Sequence, residues 1–327
     1  MHIGQGKTGS SYIQSALALS TERLAQLGIV YPSDGQERER ALSGNVSVGN
    51  LPVTKGIGHH TDGTLIEAMN QVQDKSAGRI MFSNEGLFSS IVHHSLWEEI
   101  LEFSTDYDIR MLLFIRDPLD HALSAYQQGV KGGLTKPIGE FLQNYGIPRQ
   151  TRKLIDLVED SPVSLSILNY SRHRKTLLSS VAAWLGLPDD ALVNPPKAHV
   201  NRSLTRTETE LQIAFSEYVG SKARLFIADA FSNELPHLTA EQPAVDDETL
   251  LSFLGRMEIM TAETNALLSP NERYRVPTLE DARVSVPEPG LKQEYTLTQE
   301  QIQTLAKSVS RYLRPGMLLP KEPDVDA

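Results

Sequence analysis

The chain has 327 residues, no cysteine and a formal net charge of −10. That length buries a substantial core, in one α/β domain or two smaller ones. The missing cysteines exclude a disulfide frame and a thiolate metal site, and the acidic balance argues against nonspecific binding to nucleic acid. No apolar run is long enough to span a bilayer, and the N-terminus lacks the basic-then-apolar order of a secretory signal. A cytoplasmic protein without membrane insertion is expected.

The first element is a short apolar start, Met1-His2-Ile3, which runs into Gly4-Gln5-Gly6-Lys7-Thr8-Gly9-Ser10-Ser11. A helical pattern follows through Tyr12, Ile13, Ala16, Leu17 and Leu19. A glycine-punctuated loop at a helix N-terminus turns backbone N–H groups inward and cradles an anion. Lys7 adds a point charge, and Thr8, Ser10 and Ser11 add donors without bulk. Gly6 and Gly9 allow backbone angles closed to other residues. Only three residues precede the loop. Either the first strand is unusually short or the natural chain starts further upstream.

Gly28–Pro32 is expected to form a short strand after the first helix. Gly35 to Gly63 is polar and glycine-rich and reads as a loop over the active site. Thr64 to Asp74 is expected to be helical. Arg79-Ile80-Met81-Phe82 is a third strand leading into Ser83-Asn84-Glu85, and Leu87 to Phe103 is mostly helical. Met111–Ile115 is a continuous apolar run, the pattern of a buried parallel strand. It ends in Arg116-Asp117-Pro118, and a helix follows through Ala122, Leu123, Tyr126 and Val130, with Ser124 about two turns beyond Arg116. Ile138 to Leu157 holds helices, Val163–Tyr170 alternates as a strand does, and Lys175 to Gly186 closes with a helix.

This alternation predicts an α/β fold with a central parallel sheet and helices on its faces. The chain changes character after Pro195-Pro196. Thr205 or Thr207 is placed to cap a helix through Leu211, Ile213, Phe215 and Tyr218. Asp247 to Leu268 and Thr298 to Leu313 are long helical patterns. The expected division is an α/β core over 1–204 and a helical extension over 205–327, packed as one domain or two.

The order Lys-Thr-Gly-Ser-Ser resembles the 5′-phosphosulfate loop of sulfotransferases that use 3′-phosphoadenosine 5′-phosphosulfate (PAPS). It does not fit the G-x-x-x-x-G-K-[ST] loop of nucleoside-triphosphate enzymes, because the glycine due five places before Gly6 falls at Met1. The strand, Arg-Asp-Pro, helix segment resembles the 3′-phosphate element of the same family. Asn201-Arg202-Ser203-Leu204 is similar to a string that bacterial members carry ahead of a helix. Ser83-Asn84-Glu85 is similar to the strand-end Ser-x-Glu of bacterial carbohydrate-type members.

The resemblance implies a P-loop-like three-layer fold and PAPS as cofactor, with 3′,5′-adenosine diphosphate as product. A carbohydrate or small metabolite would be the sulfate acceptor, through a hydroxyl or amine. The implied binding residues are Gly6, Lys7, Thr8, Gly9, Ser10, Ser11, Arg116, Ser124, Asn201 and Arg202. Lys7 is the implied charge at the leaving oxygen. Glu85 is the implied general base, just past a strand C-terminus, where open α/β sheets place ligands. His59, His60, His93, His94 and His121 are weaker candidates for that base. No metal is required by this chemistry, and the adjacent histidine pairs make poor ligand sets. The competing readings are a noncatalytic nucleotide-binding descendant, a P-loop kinase, or, for Arg116 alone, a strand-end arginine paired with Asp117 or Asp120.

Overall fold

The computed structural model describes residues 1–32, 36–42, 49–51, 65, 68–69, 72, 78–93, 96–196, 202–290 and 295–312. Six strands are present among them: β1 (His2–Ile3), β2 (Ile29–Val30), β3 (Arg79–Ile80), β4 (Ser83–Asn84), β5 (Arg110–Ile115) and β6 (Ser164–Asn169). Four lie in the order β4-β1-β5-β6, all parallel, and β2 pairs with β3 in a parallel pair. The two sets share one stretch of chain. Met81 N–H donates to the Val30 carbonyl, and His2 N–H donates to the Phe82 carbonyl. The expected third strand thus spans both sets, with β2 on one side of it and β1 on the other.

The apolar run of β5 is explained by burial on both faces. Met111, Leu113 and Ile115 join a cluster with Phe88, Ile91, Ile100 and Leu154. Leu112 and Phe114, pointing the other way, join Ile13, Leu17, Leu177 and Val181. Helices Leu87–His93, Leu96–Phe103 and Ile147–Glu159 therefore cover one face, and α1 (Ser10–Leu19) and Leu177–Leu185 cover the other. This is the three-layer α/β architecture expected from the alternation of elements.

The short β1 is firmly held. Ile3 is fully buried in the sheet core, and β1 pairs with a strand on each side. His2 is buried too. Its Nδ1 lies 2.8 Å from Ser83 Oγ, its ring meets Phe114 edge-on, and burial pushes its pKa down to about 3.

The chain forms two compact units that interleave. One comprises 1–122, 144–198 and 251–278; the other comprises 123–143, 199–250 and 279–327. This differs from a single boundary at Leu204. The helix Pro118–Lys131 runs from the first unit into the second, and Asp247–Leu267 runs back. Within the second unit, Thr205 caps the helix Arg206–Val219 in a reciprocal capping box with Glu208, a pattern that satisfies two backbone donors at once. Ile227, Ala230 and Phe231 pack there with Leu211, Phe215, Phe226 and Leu305.

The expectation of a loop over Gly35–Gly63 is corrected in part. Gln36–Leu42, inside the stretch read as loop, is helical. Its residues, Gln-Glu-Arg-Glu-Arg-Ala-Leu, are all good helix formers. Most of the remaining 43–74 stretch, His59 and His60 included, lies outside the described residues, as do His94 and Asn201. No helix among the described residues is long and apolar enough to cross a membrane.

Candidate functional site

The loop between β1 and α1 is shaped by glycines where contact demands them. A Cβ on Gly4 would stand 2.6 Å from Ser10 Oγ and 2.9 Å from the Glu85 Cα. Only glycine lets the loop pass this close to the end of β4. Gly9 caps α1 in the left-handed region, at φ 83°. A side chain there would meet Leu177 at 2.7 Å and Tyr170 at 2.9 Å. Lys7 also has positive φ, 66°, alone among the described non-glycine residues. A left-handed lysine costs about 1–2 kcal/mol, and such strain concentrates at functional loops.

Three successive carbonyls of this loop are tied down. Gln5 O accepts from the Thr8 hydroxyl. Gly6 O accepts from His121 Nε2 at 2.8 Å. Lys7 O accepts from Arg116 Nη1 at 3.1 Å. Across a trans peptide the C=O of one residue and the N–H of the next point in opposite directions. The N–H groups of Gly6, Lys7 and Thr8 are therefore turned away from these partners. A glycine-bearing loop ahead of a helix is a common setting for an anion-binding concavity, and the N-terminus of α1 adds the positive end of its dipole, although its Tyr12 and Ile13 N–H groups are already spent on the Gly9 carbonyl.

The charged groups converge on the same loop. Burial lowers the pKa of Lys7; the Glu85 carboxylate pulls the other way, and Arg116 adds to the lowering. Glu85 lies just past β4, partly buried. Ser11 Oγ points at its Oε1 from 3.4 Å. Arg116, at the end of β5, lies over the Tyr170 ring, 5.6 Å from the centroid. Burial lowers its pKa, opposed by Asp120, Tyr170 and Tyr145 and aided by Arg174. Asp117 is not its partner: that carboxylate accepts from Asn169 Nδ2, Arg172 Nη1 and the Arg275 N–H, each at 2.9 Å. Positive charge is thus gathered around one loop of a chain whose net charge is strongly negative.

Gly6, Lys7, Thr8, Gly9, Ser10, Ser11, Glu85 and Arg116 come together as expected. Ser10 is buried, and its Oγ has no hydrogen-bond partner. Ser124 is partly buried, in the part of its helix that belongs to the second unit.

Arg202 calls for a correction. Its Nε donates to Leu235 O, Nη1 to Ser203 O and Glu208 Oε2, and Nη2 to Glu208 Oε1 and Phe231 O. An arginine has five N–H donors, so none remains for a cofactor. A string ahead of a helix signalled an anion site, but this arginine is the buried anchor of the second unit.

His121 ranked among weak base candidates and instead lies against the loop. It is buried, and its pKa falls to about 4, first by desolvation and then by the Arg116 and Lys7 charges. The ring packs on Tyr145 at 5.7 Å. Sequence reasoning missed the polar groups beside it. Gln5 Nε2 donates to Thr151 Oγ1 at 3.4 Å, and Thr151 Oγ1 meets Tyr274 OH at 2.9 Å. These residues are far apart in the chain and carry no local signature.

The buried histidines set a pH dependence. Unfolded, each takes a proton below about 6.5; folded, His121 does so only near pH 4. The unfolded state binds more protons in that window, so stability should fall as pH drops from about 6.5 to about 4. His121 alone contributes roughly 3 kcal/mol of that loss, and His2 acts in the same direction. Denaturant melts across this range check it; a flat profile contradicts the neutral buried state.

No protein-family model, curated protein or solved structure matches this chain.

Proposed function

We propose that the chain is a PAPS-dependent sulfotransferase that acts on a hydroxyl or amine of a carbohydrate or small metabolite. The observation that carries this reading is the glycine-bearing loop at the N-terminus of α1, with its Gln5, Gly6 and Lys7 carbonyls each held by a side chain and with Lys7 and Glu85 beside it.

The residues fit the cofactor. Gly6 to Ser11 would hold its 5′ end: the left-handed Gly9, a lysine and two serine hydroxyls offer a cradle for a doubly charged anion, whereas Gly6, expected to need a glycine-only backbone angle, has no positive φ and open space at its Cα. Arg116 would grip the 3′-phosphate with the N–H groups it does not spend on Lys7 O. When bound, PAPS supplies a sulfuryl group already activated on a phosphate leaving group. Lys7 and the loop N–H groups stabilise negative charge on the leaving oxygen. Glu85 accepts the proton of the acceptor hydroxyl, and Ser11 orients its carboxylate. The loop ahead of α1 and the Arg116 strand end would hold the cofactor's two phosphate ends, and fixed ends are what sulfuryl transfer by positioning would require.

Titration calorimetry with 3′,5′-adenosine diphosphate tests the reading. Binding without magnesium is expected. Magnesium-dependent binding of ATP in its place would favour a kinase. An absence of any nucleotide binding would overturn both enzyme readings.

A further inference from the structure

We propose that His121 is a positioning residue: by holding the Gly6 carbonyl from outside, it fixes the Lys7 N–H toward the bound anion. This rests on the anion-binding reading above and adds to it a residue outside the loop.

The assignment follows from hydrogen-bond polarity. Gly6 O can only accept, so the His121 Nε2 at 2.8 Å from it carries the proton. In the neutral ring Nδ1 is then an acceptor, and it has no hydrogen-bond partner. The histidine is anchored to the loop through its one donor. Its ring cannot swing away: it is 4% exposed and is packed on Tyr145, whose ring in turn lies tilted against Phe253 at 5.7 Å.

The partnership with Arg116 gives the clamp its meaning. Gly6 O and Lys7 O are neighbours in the chain and are held by two side chains of one strand-helix segment. If either carbonyl rotated inward, its oxygen would replace an N–H in the cradle and repel the anion. Lys7 sits between the two clamped peptides at φ 66°. An unfavourable backbone angle persists only when its surroundings over-determine it, and the two clamps do so. A neutral donor suits this position. Lys7 and Arg116 are the charged groups that act on His121, and Tyr145 is the packed titratable neighbour. A third cation there would draw an anion to the wrong side of the loop.

The test compares His121→Gln, whose amide N–H reaches as far as Nε2, with His121→Asn, whose shorter amide does not. Both are polar and of similar size, so folding is comparable and is checked by thermal melts. The readouts are the Kd of 3′,5′-adenosine diphosphate and amide hydrogen exchange of Gly6 to Thr8 in the ligand-free protein. His121→Gln should bind within about threefold of wild type. His121→Asn should bind about tenfold more weakly, the scale of one hydrogen bond, with faster exchange in the loop. Equal binding and exchange in the two variants, with wild type binding normally, would overturn the positioning role and leave the sulfotransferase reading intact. Failure of wild type itself to bind would overturn both.

Discussion

Lys7→Ala is expected to lower the rate of sulfuryl transfer by about 10²–10³-fold, the scale seen when one preorganised charge contact to a developing anion is removed. The fold should survive. Lys7 lies in a loop, keeps its Cβ as alanine, and contributes no apolar body to either face of the sheet. The backbone itself offers a second measurement. Lys7 holds φ 66°, a conformation that glycine adopts without steric cost. Lys7→Gly should therefore be at least as stable as Lys7→Ala: relief of about 1–2 kcal/mol of strain outweighs or offsets glycine's extra unfolded-state entropy of about 0.5–1 kcal/mol. Both variants should be equally slow. Thermal melts and single-turnover assays read the two effects separately. Wild-type turnover in Lys7→Ala would remove the leaving-group role. A large stability loss in Lys7→Gly relative to Lys7→Ala would show that the left-handed backbone at this position is not strained.

The layers of the fold were legible because they depend on short-range patterns. The apolar run Met111–Ile115 announces a strand buried on both faces, and glycines around a lysine announce a tight loop before a helix. Glu85 could be placed at a strand end because the Arg79–Phe82 stretch is strongly β-like. The rest depends on tertiary contacts. Asp117 neighbours Arg116 in sequence, yet its carboxylate is satisfied by Asn169, Arg172 and the Arg275 backbone, none of which local spacing could supply. His121 looked like one of several stray histidines, because only the fold brings its ring to the Gly6 carbonyl. The helix over Gln36–Leu42 was hidden by glycines and polar residues around it. The interleaved units could not be read either, since two helices each run from one unit to the other and a linear boundary cannot describe that exchange.

Arg202 marks the place where a motif and its surroundings disagree most, and it yields the largest expected loss of stability. Glu208 is fully buried. It accepts from Arg202 Nη1 and Nη2, from Gln301 Nε2 and from the Thr205 N–H. Burial pushes its pKa up, but these hydrogen bonds outweigh burial and hold it below 4.5. Removing one partner strands the other charge, so Arg202→Ala or Glu208→Ala should each cost about 3–5 kcal/mol. Because the folded pKa of Glu208 is depressed, the stability it contributes is present above about pH 4.5 and is lost as pH falls through the lower folded value. The double variant Arg202→Met with Glu208→Leu removes both charges together and should recover part of that loss, since an apolar pair avoids a stranded charge while the Leu235 and Phe231 carbonyls and the Gln301 amide lose their partners. Denaturant melts of the three variants measure this. The same double variant separates the two readings of Arg202. With its fold recovered, it should bind 3′,5′-adenosine diphosphate as wild type does, because every N–H of that guanidinium is spent on Glu208 and backbone carbonyls. A folded double variant with a much weaker nucleotide affinity would return Arg202 to the cofactor site.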